Sequence, residues 1–215
     1  MNALRYSVPL LASLLLAACG SDGDSQPSPP TSPKVSVDAL PAGSYTVAIG
    51  AGDALQVGQY YAGSDGSRLL IVNGDDETAQ ALYQQGNDGK WRAVPAPKAD
   101  VTVSLAGAES RNSTALDLAQ LAGTYQVPLA GGAVAVFSLS ADGVITPQGA
   151  GCRLSGQASA GKLPGSLALT LTLADCAGLP AQGSGALFAD PDYAPALRLI
   201  VDDGAKLADL WAYAV

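Results

Sequence analysis

Leu167-Ala-Leu-Thr-Leu-Thr-Leu173 alternates without a fault. Successive side chains of a strand point to opposite faces, so the four leucines share one side and Ala168, Thr170 and Thr172 the other. A helix would scatter the leucines around its axis. The segment therefore predicts a strand with one face in a core. The same period runs through Tyr45–Ile49, Val101–Leu105 and Leu197–Val201, the last with a second face that is also largely apolar. Asp65-Gly66, Asn73-Gly74, Asp88-Gly89, Asp142-Gly143 and Asp203-Gly204 punctuate these runs. Such dipeptides between alternating segments are the strongest short signals for hairpins.

The expected fold class is all-β, an antiparallel meander. Residues 113–215 offer eight strands, near 124–129, 133–140, 143–147, 150–158, 166–174, 183–189, 196–202 and 207–214. Even spacing without intervening helices fits an eight-stranded barrel or a sandwich. Before them, Thr114–Ala122 is rich in helix formers, with Thr114 as N-cap, Asp117 in the first turn and Gly123 as the stop. It predicts a short helix of about two turns. Residues 42–112 are expected to form a smaller β-domain or to complete one larger sheet. Ala42-Gly-Ser-Tyr-Thr-Val47 resembles Ala122-Gly-Thr-Tyr-Gln-Val127, which points to two related meanders.

The N-terminus has a different character. Arg5 precedes an uncharged apolar run, Tyr6–Leu16. The run is shorter than the roughly 20 residues a bilayer span needs and suits the core of a signal peptide. It leads into Leu16-Ala17-Ala18-Cys19, which resembles the bacterial lipobox. The resemblance implies removal of residues 1–18 and lipidation of Cys19 with diacylglycerol and a further acyl chain of the palmitate type. An ordinary secretory signal with a chance cysteine is the alternative. Gly20 rather than aspartate follows Cys19, which favours the outer membrane, with the domain in the periplasm or on the cell surface. Residues 20–41 contain a Pro/Ser-rich stretch too poor in apolar groups to offset its ordering entropy, and read as an extended tether. A proline-rich ligand is the other reading.

Charge and missing residue types exclude several functions. Loss of Arg5 leaves 10 basic against 19 acidic residues, a net charge of 10 − 19 = −9. Nucleic acid is an unsuitable partner for such a chain. The expected partners are the membrane, through the lipid, and an envelope protein, extracellular protein or small ligand. With no histidine, the chain can build neither a Ser-His-Asp arrangement nor a histidine-based zinc site. No cofactor and no enzyme activity are expected. Cys152 and Cys176 in an exported chain are expected to pair, two free thiols being the alternative.

Other residues carry weaker signals. Asp190-Pro191-Asp192 and Asp202-Asp203 are the carboxylate clusters that a hydrolase would need to bring together; ordinary turns have the same composition. Gly74-Asp-Asp-Glu77 could offer oxygens to calcium or form a solvated loop. Trp91 between Lys90 and Arg92 reads as a binding hot spot or as a half-buried strand aromatic. Trp211–Val215 alternates large and small residues and is expected to close the sheet.

A short helix followed by Gly123-Thr-Tyr125 and an eight-stranded meander resembles the opening of a lipocalin-type barrel, with tyrosine in place of the family's tryptophan. That resemblance implies a carrier with an open apolar interior. Gly151-Cys152 with Gly156, and Leu171–Cys176, are similar to small β-barrel domains of proteobacterial lipoproteins. The leading expectation is a lipid-anchored, non-catalytic β-module that binds a partner.

Overall fold

The computed structural model describes residues 32–52, 54–190 and 196–215, with Asp190 described by its backbone alone. The expected signal peptide, Cys19, most of the expected tether, Pro191 and Asp192 lie outside the described residues. Pro33–Val215 form one compact unit. It begins at Pro33 rather than Ala42, because the end of the tether segment carries a strand, β1 (Val35–Val37).

The first meander runs β2 (Gly43–Ile49), β3 (Gln56–Ala62), β4 (Arg68–Asn73), β5 (Ala79–Gln85) and β6 (Trp91–Val94). After β7 (Val101–Val103), β8 (Leu105–Arg111) returns to pair with β2. The sheet is open, in the order β6-β5-β4-β3-β2-β8, and β1 pairs with β7 in parallel. The period read through Val101–Leu105 is interrupted at Ser104, where Asp38 accepts from the Leu105 amide at 2.9 Å.

The second meander closes. Strands β9 (Gly123–Pro128), β10 (Val134–Leu139), β11 (Val144–Gln148), β12 (Arg153–Ala160), β13 (Ser166–Ala174), β14 (Gln182–Asp190), β15 (Ala196–Asp202) and β16 (Leu207–Ala214) pair in sequence, and β16 pairs back to β9. This is an eight-stranded antiparallel barrel, one of the two architectures, barrel or sandwich, that the even strand spacing left open. The five Asn-Gly and Asp-Gly dipeptides among the described residues all lie at turns between consecutive strands. At Asp142-Gly143 glycine is obligatory: its φ is 81°, and a Cβ there would lie 2.0 Å from the Ala158 carbonyl oxygen. The Asn73-Gly74 hairpin uses its glycine differently, since Glu77 takes the left-handed conformation with φ 64°.

The expected helix is shorter than its composition suggested. Helix α1 spans Leu118–Leu121, and its N-cap is Asp117 rather than Thr114. The Asp117 carboxylate accepts from the Ala119 amide at 3.0 Å, which satisfies a donor that has no partner within the helix. Leu116, Leu118 and Leu121 pack against the barrel core, so hydrophobic contact takes over where further helical turns were expected.

Side chains fill the barrel interior. Leu167, Leu169, Leu171 and Leu173 enter it with Phe137, Leu154, Leu187, Leu197, Leu199 and Leu210, all buried. The disulfide joins Cys152, just before β12, to Cys176, just after β13. Cys152 and Cys176 also pack on the edge of this core.

The Gly-Ser/Thr-Tyr repeat has structural counterparts. Each copy opens the first strand of a meander. The Tyr45 hydroxyl donates to the Pro41 carbonyl at 3.3 Å and the Tyr125 hydroxyl to the Leu121 carbonyl at 2.7 Å, each four residues back. Tyr45 pairs across to Tyr60, and Tyr125 to Phe137. In both meanders the last strand returns antiparallel to the first. The cluster around Tyr60, Leu70 and Val72 thus corresponds to the barrel's interior, but its meander is open and Val37 and Val103 of the β1–β7 pair cover it.

Truncating Leu169 to alanine should cost about 2–5 kcal/mol, the range for a buried leucine that leaves a cavity. Replacing both Cys152 and Cys176 by alanine should cost about 2–4 kcal/mol through loss of the loop constraint. Urea unfolding of each variant measures both; a midpoint unchanged in either would contradict the corresponding packing or linkage.

Candidate functional site

Sheet and barrel meet outer wall to outer wall. Tyr61, Leu69, Ile71, Leu82 and Val94 of the sheet form one buried cluster with Ala186, Phe188 and Ile200 of the barrel. Two polar anchors flank this apolar contact. Arg198, 3% exposed, lies on the barrel's outer wall. It donates to Asp209 through Nε at 2.9 Å and Nη2 at 2.7 Å, to Gln59 at 3.0 Å and to Asn73 at 2.8 Å. Its guanidinium also sits 5.1 Å from the Trp211 ring centroid. Asp209 accepts from the Ala79 amide at 2.7 Å. The second anchor is Asp202, which accepts from Arg92 at 2.7 and 3.0 Å, Gln84 at 2.8 Å and the Gly204 amide at 2.9 Å.

Between these contacts the two walls separate and leave a cleft of about 450 Å³. Small side chains on the barrel create it: Ala168 of β13 stands opposite Ala186 of β14. Leu69, Leu163 and Ile200 complete an apolar floor. Further along β14, Phe188 stacks on Tyr61 with centroids 4.3 Å apart. On another side stands the Arg92–Asp202 pair. Lys90, Arg92 and Lys162 line the mouth together with one carboxylate, Asp88. Arg68 also lines the cleft, but its guanidinium bonds Gly66 and Gln85.

The acids near the mouth are committed elsewhere. Asp88 accepts from the Lys90 amide at 3.0 Å. Asp65 accepts from the Ser67 hydroxyl at 2.5 Å and the Ser67 amide at 3.0 Å, and meets Lys162 at 3.4 Å. The Ser67 hydroxyl and amide, followed by Lys162, pull the Asp65 carboxyl down to about 2.

The sequence candidates separate accordingly. Asp202 is buried in an ion pair with Arg92. Asp203 caps its turn by accepting from the Ala205 and Lys206 amides. Both carboxylates line an open groove of about 610 Å³ beside β13 and β14, but Asp202 is committed to Arg92 and Gln84 and Asp203 to its turn amides. Asp192 and the Asp190 side chain lie outside the described residues. Gly74–Glu77 forms a hairpin turn in which Asp76 accepts from the Thr78 hydroxyl and amide. Among the described residues no three His, Cys, Asp or Glu side chains group to hold a metal ion. Trp91 is half-buried and packs on Tyr60 with centroids 6.4 Å apart. The strand β16 that carries Trp211 closes the barrel. Sequence reasoning singled out Lys90 and Arg92 only as neighbours of Trp91 and passed over Lys162, because the contact between the 161–165 loop and the sheet has no local signature.

Compared with protein-family models, curated proteins and solved structures, the chain matches none of them.

Two predictions follow from these contacts. Arg198→Met leaves Asp209 buried without its cation and should cost about 3–5 kcal/mol, whereas Arg198→Met with Asp209→Leu should recover much of that loss. Chemical denaturation of both variants checks this; equal losses would mean that the ion pair does not govern the site. Ser67→Ala should raise the Asp65 carboxyl from about 2 toward its ordinary 3.8. Since the folded value is depressed, the associated stabilisation is complete above 3.8 and is lost as pH falls through 2. Carboxyl ¹³C titration reads the shift directly, and a midpoint that stays near 2 would rule out the serine as its main cause.

Proposed function

We propose that the chain is a bacterial outer-membrane lipoprotein, anchored through Cys19, whose β-body binds a partner without catalysing a reaction. The cleft between the sheet and the barrel wall carries the binding part of this reading. It is concave, apolar at its floor and polar at its mouth, the usual composition of a ligand site. The lipobox-like Leu16–Cys19 and the Pro/Ser-rich residues that follow support the anchor. Two or more acyl chains would hold the protein stably at a bilayer.

The lipocalin-like alternative keeps its support in the eight-stranded meander. As a carrier, however, it calls for an apolar lumen open to ligand, and the leucines of β13 occupy that space. The cleft outside the barrel is the better candidate.

Cys19→Ala should abolish metabolic labelling by an alkynyl palmitate analogue and shift the protein from the membrane to the soluble envelope fraction. Labelling that survives the substitution would refute the anchor. A photocrosslinking residue at position 163 should capture a partner in cells, whereas the same residue at position 146 on the barrel's far wall should not. Equal capture at both positions would remove the cleft as the binding surface.

A further inference from the structure

We infer that the cleft takes a small amphipathic anion, a single-chain carboxylate whose apolar body lies along the barrel wall and whose head meets Lys90 and Lys162. The inference rests on the cleft being the binding site. It is independent of the anchor.

Three observations converge on this ligand. The first is shape: about 450 Å³ falls within the range of small-molecule sites. The floor against which an apolar body would lie is Leu69, Leu163, Ala168, Ala186 and Ile200. Ile200 and Ala186 are at most 4% exposed, so these walls are set by the sheet–barrel packing and change little with rotamers at the mouth.

The second is charge. The chain as a whole is acidic, at −8, yet four of its eleven basic residues line this one cavity, with a single carboxylate among the lining residues. With Asp202 paired to Arg92 and Asp65 facing Lys162, a small positive excess remains at the cleft, opposite in sign to the chain, and an anion finds a local exception there.

The third is donor availability. Arg92 is consumed by Asp202 and Gln84, and its role is to wall the cleft. Lys90 makes no ion pair among the described residues. Lys162 has only the 3.4 Å contact with Asp65, at an exposed position where such pairs contribute little. Asp65 and Asp88 stay charged, but their hydrogen bonds to the Ser67 hydroxyl and amide and to the Lys90 amide fix them in their own turns. The two ammonium groups thus keep donors for an incoming carboxylate. A neutral alcohol of equal length would gain the floor but not the charged contacts.

The test uses the full chain in phosphatidylcholine nanodiscs, with alanine methyls labelled and empty nanodiscs to correct for partitioning. Decanoate should shift the Ala168 and Ala186 methyls saturably, and decanol should bind at least tenfold more weakly. Lys90→Gln with Lys162→Gln should bring decanoate down to the level of decanol. Unchanged Ala135 and Ala212 methyls, both inside the barrel, certify folding of the variant. Equal affinity for decanoate and decanol, decanoate binding that survives loss of both lysines, or no saturable shift at Ala168 and Ala186 would overturn the inference. In the last case, crosslinking specific to position 163 would leave the cleft as a macromolecular site and discard only the ligand class. Absence of both signals would discard the cleft itself.

Discussion

Strand β15 has no face left for water. Leu197, Leu199 and Val201 point into the barrel, while Ala196, Arg198, Ile200 and Asp202 lie on its outer wall, and all seven are buried. A strand of this kind can exist only if a second layer covers the barrel from outside, and the first meander is that layer. The outward positions of β15 also state the terms of contact: Ile200 supplies apolar area, and Arg198 and Asp202 must find partners or carry an uncompensated charge in a dry interface. Gln59, Asn73, Gln84 and Arg92 of the sheet supply those partners.

The cleft is a by-product of the same arrangement. Where β14 presents Phe188, the walls touch through a ring stack on Tyr61. Where Ala186 lies beside Ala168, the small side chains leave the space of the cleft at the edge of the packed cluster. A rigid, walled cavity with lysines at its mouth requires no moving part. Its walls are strands and short turns.

Much of the fold was legible in the sequence. Strands β13, β15 and β16 fall at the positions their alternation predicts, and each Asn-Gly or Asp-Gly pair among the described residues marks a turn between strands. The reason is local: the period of two, and the turn's need for residues tolerant of left-handed backbone, act within a few residues. The helix was overestimated because propensity alone cannot see Leu116, Leu118 and Leu121 being drawn onto the barrel. The β1 strand was concealed because a three-residue run beside prolines has no period to read; it exists through its pairing with β7, 66 residues away at the Lys34–Asp100 contact. The candidate site was legible only in fragments, as Lys90 and Arg92 flanking a tryptophan.

Composition and periodicity by themselves determined the all-β class, the eight-strand count of the second half, the pairing partners Cys152 and Cys176, and the absence of histidine chemistry. Each follows from residue identity or from spacing within one hairpin. Tertiary structure alone decided that one meander closes and the other stays open, that leucines fill the barrel, and that the cleft lies outside it. Those outcomes depend on which outer faces meet, and contacts such as Arg198 with Asn73 join residues 125 positions apart. No local pattern records a contact of that range, because the energy that selects it arises only when both surfaces have formed and water between them has been expelled.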